Sequence, residues 1–382
     1  MMGLFWITLS AFLALAGYLL IPDKTPYANH QQLELAAHKP GTQAVVLKVT
    51  RNQVYTKPGF LQRIIWGVPS PFTTITLQDW WFEDEKLYYE SYPGQAGYPG
   101  LIAYVNIADV AYALDPTKDI ERTSDDMLVF RDTGQKKHTV SIAGLQLKVA
   151  ENHIQKRRFI LGTDRFGRDM LSQLVIGTRV SLSVGFVAVF ISLLIGVSLG
   201  SLAGFFRGRL DQFIVWLINV IWSIPTLLLA IAITFALGKG FWQVFVAVGL
   251  TMWVEVARLV RGQVISIREQ EYVESARALG LGNLRIIRRH ILPVVMGPVV
   301  VISAANFASA ILIEAGLSFL GIGVQPPMPS WGTMIREHYG FIILEKGYLA
   351  FLPGIAIMLM VLAFMLLGNG LRDALDKTAK DQ

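Results

Sequence analysis

Six stretches of the chain are apolar for long enough to cross a bilayer: residues 4–21, 174–206, 210–237, 240–256, 294–322 and 347–368. A helix needs about 20 such residues. Between the first and second stretches the pattern changes. Phe72 to Leu77 alternates apolar and polar with period two, and Val140-Ser141-Ile142 and Leu145 to Val149 alternate on either side of Ala143-Gly144. These runs predict strands, the second pair a hairpin. The expected fold is mainly α: a polytopic membrane protein with six transmembrane helices and a mostly-β extracytoplasmic insert between the first and second.

The apolar runs are interrupted by one long basic segment, residues 258–293. Within it Tyr272, Ala276 and Leu279 recur at helical spacing beside Val273, which predicts a short amphipathic helix. Gly280 and Gly282 bracket a break, and Asn283 is placed to cap a second helix lined by Leu284, Ile287 and Ile291. An amphipathic helix on a membrane face either lies in the headgroups or fits a groove on a partner.

Composition sharpens the class. The 382 residues are 53% hydrophobic and 16% charged, with mean hydropathy +0.46. Ordinary globular chains carry about 25% charged residues. The formal charge of +6 does not point to nucleic acid, because residues 22–170 hold 18 Lys and Arg against 17 Asp and Glu, leaving the excess in the membrane part. With no cysteine there is neither a disulfide nor a thiolate metal site. The chain has no Walker A sequence, no HExxH and no GxSxG, and its six His are scattered without ligand spacing. Catalysis by this chain is not expected, and energy for uphill transport must come from another subunit.

The block Glu274-Ser275-Ala276, then Gly280, then Leu292-Pro293, resembles the EAA signature of the membrane subunits of ABC importers. The resemblance extends over residues 161–375 and is similar to the oligopeptide, dipeptide and nickel permease type. LGTD at 161–164, GRD at 167–169, ARLVRGQ at 257–263, EAGLSFLG at 314–321, VQPP at 324–327 and SWG at 330–332 carry it. Two positions depart from the signature: Ser275 stands for its first Ala, and His290 occupies its Ile slot.

The resemblance implies a permease subunit that forms half of a translocation pathway and docks on ATPases through residues Glu274, Ser275, Ala276, Gly280, Leu292 and Pro293. It also implies partners: a second homologous permease, two ATP-binding cassette subunits that hold ATP and Mg, and an extracytoplasmic solute-binding protein. Membrane lipid is a further partner; no cofactor is expected on this chain. Peptides are the expected cargo, with nickel or another small solute as the alternative. A membrane-anchored sensor needs fewer spans, and an ion-coupled carrier needs more embedded acid and base groups than Glu255 and Glu314.

Further residues are placed by the pattern. Gly196, Gly200 and Gly204 form a small-xxx-small stripe suited to close helix packing in lipid. Pro225 falls inside an apolar run and predicts a kink. Asn219 lies where relatives of this type carry an acidic residue. Glu314 is a deeper carboxylate, with pathway lining and helix linking as its two readings, whereas Glu255 reads as an interfacial carboxylate, snorkelled or paired with Arg258. Asp164 and Arg168 are four apart, as in a local ion pair. The aromatic cluster Trp80, Trp81, Tyr88, Tyr89, Tyr92 and Tyr98 reads as insert core, with a ligand patch as the other reading.

Boundaries follow: residues 1–21 an N-terminal transmembrane helix, 22–160 the insert, 161–371 the permease domain with its coupling loop at 258–293, and 372–382 a tail. The first helix is read as retained, since no basic segment precedes it and no small-residue cleavage site follows. The turn at 207–209, the coupling loop and the tail hold 12 Lys and Arg, against three on the opposite side, Lys239, Arg336 and Lys346. The positive-inside rule then puts both termini in the cytoplasm of a bacterial inner-membrane protein.

Overall fold

The computed structural model describes residues 2–380 apart from Ala96, Ser124, Asp125 and Lys239, with side chains described as far as residue 375. Lys239 of the charge count, the last two tail residues and the tail side chains beyond Leu375 therefore lie outside the described set. The chain divides into two compact units, Ala16–Val175 and Met1–Leu15 with Ile176–Gln382.

The first unit is β-rich. Strands β1 (Gln43–Thr50), β2 (Phe72–Glu83), β3 (Lys86–Ser91), β4 (Ile102–Asn106) and, later in the chain, Ile154–Arg158 form one antiparallel sheet in which the late strand sits on the outer side of β1. β5 (Glu121–Thr123), β6 (Met127–Arg131) and β7 (Lys137–Ser141) make a second sheet; the late strand is β8. Leu47, Leu77, Leu87, Leu128 and Phe130 meet Leu145 and Val149 in a common core. The aromatic cluster is divided by strand alternation. Trp80 and Tyr89 pack on the core, while Trp81 stacks on Tyr88 at 5.8 Å on the other face and Tyr98 is exposed.

The expected hairpin at 140–149 does not form. β7 ends at Ser141, whose hydroxyl accepts from the Gly144 backbone and caps a helix, Ile142–Asn152. Ile142, Leu145 and Val149 satisfy a helical period equally well, and their burial decides the outcome. The Asp164–Arg168 pair forms, buried, without a helix: the Asp164 carboxylate also accepts from the Phe166 and Arg168 backbone, closing a turn.

The second unit is helical. Numbering all helices in chain order gives α1 (Met2–Leu20), α2 (Phe60–Trp66), α3 (Ile107–Ala111), α4 (Ile142–Asn152), α5 (Met170–Phe206), α6 (Gly208–Trp222), α7 (Thr226–Leu237), α8 (Phe241–Ile267), α9 (Glu271–Ala278), α10 (Asn283–Phe319), α11 (Trp331–His338) and α12 (Tyr348–Lys380). Five of them, α1, α5, α8, α10 and α12, are long and apolar enough to cross a membrane.

The run at 210–237, expected as one kinked span, is instead two helices bent by 95°. Ser223 to Pro225 separates α6 from α7, and Pro225, extended at ψ 126°, starts α7 rather than continuing α6. The pair makes a sixth span only if counted as one. The basic segment also differs from expectation at its start, because α8 stays helical to Ile267 and the loop proper begins at Arg268.

The glycine stripe explains how α5 lies against α8. A Cβ on Gly196 would fall 2.5 Å from that of Val256, one on Gly200 2.5 Å from the Ala257 carbonyl oxygen, and one on Gly204 2.8 Å from the Val264 Cβ. Only hydrogen fits at these three positions, so the backbones approach as small-residue helix contacts in lipid require.

Candidate functional site

The elbow between α8 and α10 is built from two short helices with opposite demands on their faces. On α9, Val273 and Ala276 are buried, and on the first turns of α10 so are Ile286, Ile287 and Ile291. They join Phe205, Val260 and Val264 in one apolar cluster that fixes the elbow to α5 and α8. Each fully buried Val or Ile contributes about 1.5–3 kcal/mol, enough to hold so short a helix in place.

The turn between them is a Schellman motif. Gly280 adopts φ +76°, its N–H bonds the Arg277 carbonyl at 2.9 Å, and the Leu281 N–H reaches back to the Ala276 carbonyl at 3.2 Å. Asn283, expected as the next cap, is the first residue of α10; Gly282 takes the cap position, with no side-chain bond.

The outer face is the informative one. Leu279 is 82% and Leu284 76% exposed, and Tyr272, Glu274, Ser275 and Gly280 are exposed with them. The sequence places Tyr272, Ala276 and Leu279 with Val273 on one apolar face, and Leu284 with Ile287 and Ile291 on another; both groupings divide, with Tyr272, Leu279 and Leu284 turned outward. Of the other signature residues, Leu292 is half-buried against the apolar cluster and Pro293 is exposed on α10.

Charge gathers beside this face. Arg268 and Arg277 flank the Phe205 ring at 5.7 and 5.9 Å, and Arg207 reaches Glu269 at 2.5 Å. Burial, with the Arg207 and Arg277 charges, presses the Arg268 guanidinium below its ordinary value. Its Nη1 is buried without a hydrogen-bond partner among the described residues.

Two other groups of residues singled out by sequence lie deeper. Glu314 on α10 is fully buried and accepts from Ser318 Oγ at 2.7 Å; Ser318 in turn meets Ser330, which caps α11 through a reciprocal bond pattern with Thr333. This places Glu314 in the joint between α10 and α11. Asn219 and Pro225 are exposed on the α6–α7 side of the unit.

Glu255 is not paired with Arg258. Its exposed side chain lines a cavity of about 140 Å³ beside the α6–α7 break, with Trp222, Ile224, Thr251 and Ser309. Arg258 instead stacks on Trp222 at 3.4 Å. Sequence reading missed the fork of Arg261 on Asp211, at 2.5 and 2.8 Å. The two residues are 50 apart in the chain, and only the shared sign asymmetry of ARLVRGQ and the 207–211 turn hinted at it.

A helical bundle with apolar spans, a small-residue helix contact and a two-faced elbow is that of a polytopic membrane protein. Residues 196–381 match the family described as binding-protein-dependent transport system inner membrane component. The chain is 43% identical over 220 residues to the glutathione transport system permease protein GsiD of Pectobacterium atrosepticum, covering 58% of this chain and 73% of that one. It is 44% identical over 225 residues to the di/tripeptide transport system permease protein DppC of Pseudomonas aeruginosa, covering 59% and 74%. Among solved structures, a chain of the inward-facing MetNI methionine ABC transporter aligns with a TM-score of 0.43 and 22% identity, over 53% of this chain and 97% of that one. The chain therefore belongs to the ABC importer permease family. It is a multi-pass inner-membrane subunit, not itself an enzyme, whose ATP hydrolysis takes place on separate subunits.

Proposed function

We propose that this permease carries peptides inward and is driven through the elbow at helix α9, Glu271–Ala278. The observation that carries the coupling reading is the outer face of that elbow, where Leu279 and Leu284 stand exposed and Arg277 is exposed on the same helix. Apolar side chains beside a cation are what a protein groove lined with acidic residues would cover. The glutathione and di/tripeptide systems of the relatives support a peptide cargo.

In this reading six spans cross the membrane, α6 and α7 serving as one broken span. Both termini are cytoplasmic and residues 22–160 are extracytoplasmic. The permease domain covers 161–371 with a cytoplasmic tail from 372. A second permease completes the pathway, two ATP-binding cassette subunits supply ATP and Mg, and a solute-binding protein delivers cargo. Glu274, Ser275 and Gly280 shape the ATPase contact, Ala276 seats the helix beneath it, and Leu292 and Pro293 fix the root of α10. Gly196, Gly200 and Gly204 hold α5 on α8, Glu314 links α10 to α11, and Asn219, Pro225 and Glu255 border the pathway beside the broken span.

The chain lacks cysteine, so Leu279→Cys is a unique handle. Crosslinking from it to a co-expressed ATPase subunit, with a yield that changes on ATP addition, is the expected result. Reaction of that cysteine with an impermeant reagent from outside intact cells would sink the topology and the coupling together. Uptake of a labelled dipeptide by the assembled transporter tests the cargo separately.

A further inference from the structure

The first unit carries a feature that transport does not use. Helix α2 has no buried residue, and Phe60, Leu61 and Trp66 are 67%, 72% and 59% exposed. A seven-residue helix with so little burial is not held by its own core. It is held at one end. Gly67, at φ +77°, ends it so close to the membrane helix that a Cβ there would lie 2.8 Å from Tyr18 Cε1 on α1 and 2.7 Å from the Lys24 carbonyl oxygen. The Val68 N–H bonds that same carbonyl at 2.7 Å, and Tyr18 Oη accepts from the Tyr27 N–H at 2.8 Å.

Lys24 follows the last residue of α1 by four positions, a reach of at most about 14 Å. The headgroup layer is about 5–8 Å deep on each side of the hydrocarbon. The end of α2 is thus fixed within reach of the layer that α1 leaves.

Beside α2 lies a cleft of about 660 Å³ lined by six cations, Lys24, Lys48, Lys57, Arg63, Lys156 and Arg157. Its one acid, Asp23, is already engaged: Oδ1 accepts from the Thr25 backbone and hydroxyl, and Oδ2 from the His30 backbone. Among the described residues none of the six cations has a carboxylate partner. Burial, with the Arg157 charge, holds the Lys48 ammonium below its ordinary range.

We propose that α2 is a membrane foot: Phe60, Leu61 and Trp66 insert into the leaflet beside the end of α1, and Lys24, Lys57 and Arg63 hold the phosphates of its lipids. Exposed aromatic and aliphatic side chains next to Lys and Arg, at the end of a span, are the composition of an interfacial helix. The commitment is to lipid phosphate. A soluble anion in the same cleft would leave Phe60, Leu61 and Trp66 bare in water.

The test uses the full chain in nanodiscs with a nitroxide on Leu61→Cys. In discs containing phosphatidylglycerol, oxygen should reach the label readily and a water-soluble nickel chelate poorly. The surface variant Lys57→Glu/Arg63→Glu should shift the balance toward the chelate, by about fivefold for each cation removed, the weight of one basic residue at an anionic surface. Hydrogen exchange of β1 confirms that the unit stays folded in that variant. Chelate access equal to that of bulk water in the parent overturns the proposal. So does protection of the label by inorganic phosphate in detergent without lipid, which would make the cleft a site for soluble anions.

Discussion

Arg261 on α8 grips both carboxylate oxygens of Asp211 on α6, Nε at 2.5 Å and Nη2 at 2.8 Å. The fork fixes α6 to α8 close to the elbow, and its geometry is specific to a guanidinium. The side chains are 32% and 16% exposed, so solvent discounts the pair to about 1 kcal/mol. Arg261→Lys keeps the charge and loses the fork. The apparent melting temperature of the detergent-solubilised protein should fall by about 2–4 °C, and Asp211→Asn should give a similar drop.

Gly280 is constrained by backbone angle, not by space, since a Cβ there would meet nothing within 4 Å. Substitution therefore tests the Schellman turn alone. Residues that tolerate the left-handed region should cost least, giving the order Gly, Asn, Ala, Val for transport-coupled ATPase activity. A Gly280→Val protein that inserts normally and couples as the parent does would show that the turn's geometry is dispensable.

The helix contact of α5 on α8 predicts a contrast between glycines. Gly200→Ala puts a methyl 2.5 Å from the Ala257 carbonyl oxygen, whereas Gly262→Ala on α8 meets nothing within 4 Å. The first should lower stability by about 1–3 kcal/mol through overpacking; the second should be neutral or slightly stabilising, because alanine is the better helix former. Thermal unfolding of the two variants side by side separates these outcomes.

The first unit should weaken in mild acid. His153 is buried, donates Nδ1–H to the Lys48 carbonyl at 2.7 Å and lies edge-on to Phe72, and burial lowers its value from the ordinary 6.5. The unfolded chain then binds a proton that the folded unit refuses, so stability falls as pH drops below 6.5 toward the folded value and rises again with pH. Burial acts on His30 in the same direction. Protection of the β1 and β8 amides, taken relative to the intrinsic exchange rate at each pH, should fall between pH 7 and 5 in the parent protein, and less so in His153→Gln.

The spans were legible because their length and apolarity suffice without any partner, and the Gly196, Gly200, Gly204 stripe because its spacing is local. The elbow was half legible. Periodicity located α9, but which apolar residues turn inward depends on where Phe205, Val260 and Val264 stand, and no local pattern encodes that. Helical spacing groups Tyr272 and Leu279 with Ala276, and Leu284 with Ile287, without saying that the bundle covers only part of each group. The hairpin at 140–149 does not form, for a different reason: Ile142, Leu145 and Val149 are also spaced for a helix, and their burial on one helix face, with Ser141 as the cap, decides the outcome. Glu255 was assigned to Arg258 by proximity in sequence, while the aromatic ring of Trp222, on another helix, takes the arginine.

Helix α10 runs from Asn283 to Phe319 as one element of 37 residues. At 1.5 Å per residue it is about 55 Å long, so a tilt of about 5° at one end displaces the other by about 5 Å. A π-turn at Ile287–Ile291 and Pro298 interrupt its regular ladder near the elbow, so a rotation imposed at Leu284 reaches the Glu314 joint with α11 less the bending that those two points absorb.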